Sequence, residues 1–300
     1  MPVHGSLRAH LAMVAVAIIW GVNFSALKVG LRVLEPFAFA GFRFTVGSAV
    51  LWLLLRRLGR QTPLSRRRLG VLIALGVLGN TLYQAAFMAG LSRTTAGNSA
   101  MIVAALPVLV TLLGAMFRLE PALPSTWVAV VLGTLGVGLV VAANGLEFSG
   151  TSFRGDLLVL FATLCWAGYT LGVRRAGAGV DPLYVTAIAT IAGTPGLLVL
   201  GMPGMVRADW GAIDAGSWLA IGYSALVSIV VAYWLYNDGV QALGPSRAAL
   251  YNCLTPLVAA AVAWMVLGER LTAQQLIGVS LVISGVLVSA LAHARRPSAP

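Results

Sequence analysis

The sequence predicts an all-α integral membrane protein, with ten transmembrane helices arranged as two inverted five-helix repeats. Three observations carry that reading. Hydrophobic residues make up 59% of the chain and charged residues only 10%, whereas a soluble domain carries about 25% charged residues. A surface this apolar must face lipid. The apolar residues also fall into ten runs, each close to the roughly 20 residues that a membrane-spanning helix needs. Finally, landmarks recur. Trp20, Lys28, Glu35 and Pro36 have counterparts 146 positions later in Trp166, Arg174, Asp181 and Pro182. Gly90, Pro107, Glu120 and Gly136 pair with Gly239, Pro256, Glu269 and Gly285 at an offset of 149. Duplication in an apolar chain is a signature of secondary transporters, whose substrate site lies between the repeats.

The first repeat, residues 10–143, places spans near 10–30, 36–56, 69–90, 95–118 and 125–143. The second, residues 155–292, places them near 155–175, 182–202, 215–237, 243–266 and 272–292. Loop chemistry separates them: an Arg-rich stretch with Thr62-Pro63 after the second span, Asn144-Gly145 after the fifth, and Asp181-Pro182 before the seventh. The stretch 144–155 joining the halves is too short for a soluble domain. The first apolar run is followed by no small-residue cleavage site and contains Asn23 and Lys28, so it reads as a retained helix and not a signal peptide.

Five spans per half is odd, so the second copy enters the bilayer from the opposite side. Charge placement agrees with that. With the N-terminus in the cytoplasm, that side collects thirteen arginines, among them Arg56, Arg57, Arg66, Arg67, Arg68, Arg118, Arg174, Arg175 and Arg247. The other side holds five: Arg32, Arg93, Arg154, Arg207 and Arg270. This positive-inside bias places both termini in the cytoplasm and predicts a multi-pass protein of a bacterial-type inner (plasma) membrane. The net charge of +11 therefore reads as topology control and not as nucleic-acid binding.

Several chemistries lack their residues. Cys165 and Cys253 lie in apolar runs with no CxxC spacing, and His4, His10 and His293 lie near the ends of the chain. No metal site, cofactor or His-based catalytic pair is expected, so the chain is not expected to be an enzyme. All nine acids fall in loops or at span ends. Proton and sodium relays usually use an intramembrane carboxylate. Transport is thus expected to be facilitated diffusion, or driven through a site without a midplane acid.

On these residues the chain resembles the EamA-type drug/metabolite transporters. Trp20-Gly21-Val22-Asn23-Phe24 matches the family's first-helix motif, and Trp166-Ala167-Gly168-Tyr169 matches it more loosely. Pro107 and Pro256 match the proline of each fourth helix. Gly268-Glu269-Arg270 and the weaker Leu119-Glu120-Pro121 match the turn before each fifth helix. The resemblance covers residues 10–292 and implies two homologous five-helix units. Within that superfamily the chain looks like bacterial amino-acid exporters, including those handling aromatic amino acids.

The candidate substrate-binding residues come from depth and periodicity. Trp20 and Trp166 lie near mid-span, where an indole N–H needs a partner or a wet cavity. Asn23, Phe24 and Lys28 follow Trp20 along its helix, and Tyr169 follows Trp166. Asn80, Tyr83, Gln84 and Phe87 form an i, i+3, i+4, i+7 stripe in the third span. Lipid offers no hydrogen bonds, so such a stripe points inward, lining a cavity or gluing helices together. Tyr233, Tyr236 and Asn237 repeat the pattern in the eighth span, with Asn98 and Tyr251 as weaker members. Rings and amides together suit a substrate with rings or amino-acid groups.

Lys28 reads either as an outer-mouth attractor of carboxylates or as an interface anchor. Arg43, about a third of the way into the second span, reads mainly as an anchor whose head snorkels to the interface. Pro107 and Pro256 read as hinges for alternating access or as static bends. The expected protein is a monomer in membrane lipid with a small-molecule substrate. Amino acids lead, with other drugs or metabolites as the alternative and a lipid-acting membrane enzyme as a remote one.

Overall fold

The helices that hold the middle of this molecule are built from repeated starts. The computed structural model describes residues 3–94, 99, 102–103, 105–119, 123–142, 153–267 and 273–294, and every regular element among them is a helix. They are α1 (Val3–Gly30), α2 (Pro36–Leu58), α3 (Arg66–Leu91), α4 (Leu106–Met116) and α5 (Pro124–Ala142), followed by α6 (Phe153–Ala176) and α7 (Pro182–Arg207). A short 3₁₀ turn at Trp210–Ala212 then leads to α8 (Ala215–Leu243), α9 (Pro245–Tyr251), α10 (Leu254–Leu267) and α11 (Ala273–Ala294). Six of these, α1, α2, α3, α6, α7 and α8, are long and apolar enough to cross a membrane, and shorter apolar stretches lie in α4, α5 and α11.

Local chemistry explains the ends. Pro36 and Pro182 each sit in a first helical turn, where the missing N–H has no partner to lose. The Asp181 carboxylate accepts from the Leu183 N–H at 2.8 Å and caps α7. Asp214 caps α8 by accepting from both the N–H and the hydroxyl of Ser217, which holds its carboxyl below the usual carboxylate range. Gly59 ends α2 at φ +61°, a left-handed turn that returns its N–H to the Leu55 carbonyl.

Equivalent helices of the two halves pack side by side. α2 lies along α7, and the order of their contacts is reversed. Arg207 pairs with Glu35 at 3.2 Å, a Cβ on Gly41 would meet the Leu197 carbonyl, Ser48 bonds Thr194, and Arg60 pairs with Asp181 at 2.9 Å. The two helices are therefore antiparallel. α5 and α11 behave alike: a Cβ on Gly136 would lie 2.6 Å from the Gly278 carbonyl, and one on Gly285 would lie 2.7 Å from that of Ala129. Other contacts also come in exchanged pairs. α1 packs on α8 as α6 packs on α3, and α1 on α10 as α6 on α4. Glycine is required at these crossings because backbone meets backbone there.

Two irregularities recur in both halves. α3 widens into a π-helical segment at Val77–Leu82, and α8 does so at Tyr223–Val231. The fourth- and ninth-span regions are broken by turns. Ala105 precedes α4, and Asn252-Cys253 separates α9 from α10. Pro107 thus occupies the first turn of a restarted helix rather than the middle of a continuous one, and Pro256 likewise lies in the first turn of α10, after the Asn252-Cys253 break.

Candidate substrate site

Most of the aromatic side chains predicted from both halves meet. Trp20 of α1 and Trp166 of α6 contact edge-to-face at 5.9 Å. Trp166 also lies 5.1 Å from Tyr83, 5.0 Å from Tyr169, 5.5 Å from Tyr233 and 5.4 Å from Tyr236. Phe87 stacks on Tyr83 at 5.8 Å. Each such pair contributes about 0.5–1.5 kcal/mol beyond area burial, so four helices are joined here by ring contacts.

Polar tips thread the cluster. The Trp20 Nε1–H donates to the Ser228 carbonyl at 3.2 Å, so the indole has a partner. Asn237 donates to Thr186 at 2.8 Å and exchanges a hydrogen bond with the Tyr169 hydroxyl. Thr170 and Tyr236 hydroxyls bond at 2.8 Å. The buried Asn23 Oδ1 has no hydrogen-bond partner among the described residues.

The π segments aim these residues. Each ends just before its share of the site: Tyr83 and Gln84 follow the α3 segment, and Tyr233 and Tyr236 follow the one in α8. A π turn adds a residue to the helical circuit and shifts the register of what lies before it. Asn80 sits inside such a segment and leaves the stripe that 3.6-residue periodicity predicts. Its Nδ2 donates to the Ala189 carbonyl of α7 at 2.8 Å.

The other candidates are distributed more widely. Phe24 is 43% exposed and Lys28 is also exposed, so neither joins the ring cluster. Tyr251 is buried and meets His10 Nδ1 at 2.5 Å. Asn98, together with Glu120, Pro121 and the Gly268-Glu269-Arg270 turn, lies outside the described residues.

Arg43 is the principal residue that sequence reasoning placed elsewhere. It does not snorkel: it is 4% exposed, donates through Nη1 to the Ser224 hydroxyl at 2.9 Å, and donates through Nη2 to Gln84 Oε1 at 3.2 Å. The Phe39 and Phe44 rings flank its guanidinium, each at 5.4 Å. The available signal was a lone charge between two phenylalanines within an apolar run.

A separate cavity of about 380 Å³ opens near the end of α6, lined by Arg118, Leu119, Leu171, Arg174, Arg175 and Pro245. Leu171 belongs to the same buried cluster as Trp166 and Tyr236. Among the described residues, no group of three or more His, Cys, Asp or Glu side chains could hold a metal ion.

Two halves that share an aromatic core agree with the comparisons to known proteins. The EamA-like transporter family matches residues 7–142 and 153–291. The chain belongs to that family. Its relatives include an uncharacterized transporter of Archaeoglobus fulgidus, 31% identical, covering 94% of this chain and 97% of the relative. The uncharacterized transporter YyaM of Bacillus subtilis is 27% identical, over 94% and 93%. The uncharacterized inner membrane transporter YedA of Escherichia coli is 25% identical, over 96% and 92%. A solved crystal structure of a protein superposes with a TM-score of 0.79 at 18% identity, covering 96% and 98% of the two chains, a likeness of fold. This EamA-family protein is therefore a multi-pass membrane protein of a transporter family.

Proposed function

We propose that this chain is an inner-membrane carrier that exports small metabolites, foremost amino acids including aromatic ones, and that it is not an enzyme. Ten spans in two inverted halves, with both termini cytoplasmic, rock around a central site in alternating access. The observation that carries the reading is the meeting of Trp20 and Trp166, one from each half, in a ring cluster edged by amide and hydroxyl groups. A site shared by two halves opens to one side or the other when the halves rotate against each other. The antiparallel α2–α7 pair supports the inverted arrangement. In that topology the Arg118–Arg174–Arg175 cavity faces the cytoplasm and is the mouth through which cargo reaches the rings. The turns before Pro107 and Pro256 are the places where the fourth and ninth spans would flex.

The test is uptake of radiolabelled amino acids into liposomes holding the purified protein, with Trp20→Ala and Gln84→Ala alongside. Saturable uptake of aromatic or large apolar amino acids, weakened in both variants, supports the carrier and its site. No uptake of any amino acid by folded protein turns the assignment to other metabolites or drugs.

A further inference from the structure

The interior holds a cation with no carboxylate partner among the described residues. A charge at membrane depth is costly and is usually paired. Arg43 is buried in α2, yet the ion pairs among the described residues are Arg60–Asp181 and Arg207–Glu35, both at helix ends. Its own hydrogen bonds reach only the neutral acceptors Ser224 and Gln84. A guanidinium presents five N–H donors in a planar fork. Its Nε is buried with no acceptor among the described residues, so part of that fork is unused there.

The placement is specific. Gln84, which accepts from Arg43, follows Tyr83 in sequence, and Tyr83 lies against Trp166. Phe44, which flanks the guanidinium, contacts Tyr233 at 6.2 Å, and Tyr233 lies 5.8 Å from Trp20. The cation therefore stands at the edge of the ring cluster. Ser224 belongs to the π segment of α8, so the anchor of the fork is set by the same irregularity that aims Tyr233.

We infer that Arg43 is an anion anchor of the central site, taking the carboxylate of an aromatic or large apolar substrate through its free guanidinium edge while the rings take the apolar body. This deepens the carrier reading and rests on it. A carboxylate matches the fork in geometry and supplies the absent charge. Ser224 and Gln84 hold the fork in place while the site is empty. The predicted cargo is thus an organic anion or zwitterion with a ring or large apolar group, and the corresponding amide or amine is a poor ligand.

Equilibrium binding of radiolabelled phenylacetate to purified protein tests this, with phenylacetamide as the uncharged isostere. Saturable phenylacetate binding is expected in the wild type, with phenylacetamide competing at least tenfold more weakly. R43Q should weaken phenylacetate tenfold or more and leave phenylacetamide within twofold. Equal binding of the two ligands by the wild type overturns the assignment without need of any variant, as does folded wild-type protein that binds no phenylacetate. Amino-acid uptake in liposomes reports separately. Uptake that persists without carboxylate selectivity removes the anchor and keeps the carrier, whereas carboxylate selectivity without amino-acid uptake keeps the anchor and changes the cargo.

Discussion

Ser48 and Thr194 stand 146 positions apart in the chain and hydrogen-bond to each other at 2.7 Å. They occupy equivalent places in the two repeats, so each touches its own counterpart. Such contact arises only where the operation relating the halves passes between the two residues. Trp20 and Trp166, separated by the same offset, also touch. The surroundings repeat as well: a Cβ on Gly47 would meet Ile229 and the Ala225 carbonyl, and one on Gly193 would meet Asn80 and the Gly76 carbonyl.

Close approach around that axis predicts a contrast between two substitutions. Gly193→Leu would place a Cβ 2.5 Å from that of Asn80 and 2.7 Å from a carbonyl oxygen. Overpacking of this kind costs about 1–3 kcal/mol or more. Ser48→Ala should cost about 1 kcal/mol or less, because the Thr194 hydroxyl keeps its bond to the Thr190 carbonyl. Thermal melts of both variants in detergent check the ranking, and similar melting temperatures would argue against helix contact as tight as described.

Trp166 touches more rings of the site than Trp20 does, so Trp166→Ala should damage transport more than Trp20→Ala. An increase in KM of tenfold or more is expected for the former, since base-level ring packing and substrate stacking are both lost. Trp20→Phe removes the N–H donated to Ser228 and part of the ring system but keeps an aromatic face, and should change transport less than Trp20→Ala. Phe24→Ala, at a 43% exposed position, should leave KM within twofold. Initial rates in proteoliposomes decide all four.

Arg43→Met should yield a protein at least as stable as the wild type. Replacing a buried charge that has no counter-ion among the described residues by an apolar chain of similar length relieves desolvation, and such exchanges are often neutral or stabilising by about 1–4 kcal/mol. A lower melting temperature would mean that the Ser224 and Gln84 bonds are what the residue is kept for.

Pro107→Ala should slow transport more than it lowers folding yield, and Pro256→Ala should act alike. Each proline stands just after a break in its helix, where a restored N–H permits the helix to extend across the turn. Equal loss of transport and yield would make the bends static.

Charge-poor composition, ten apolar runs and two fixed offsets made the membrane class and the duplication legible from the sequence alone, because hydropathy and repetition are properties of order along the chain. The places of Trp20 and Trp166 well inside their apolar runs were legible for the same reason. The direction in which side chains point was not. Periodicity assumes an unbroken α-helix, and π segments at Val77–Leu82 and Tyr223–Val231 move Asn80 onto α7 while aiming Tyr83 and Tyr233 inward. The position of Arg43 likewise depended on partners distant in sequence. Ser224 lies 181 positions away, and only the packing of α2 against α8 turns a residue that reads as an interface anchor into a buried cation beside the rings. Order along the chain was enough to place it in an apolar medium and to show that its landmarks recur in duplicate. The tertiary structure decided which polar groups face one another, because that depends on helix register and contact across the two halves.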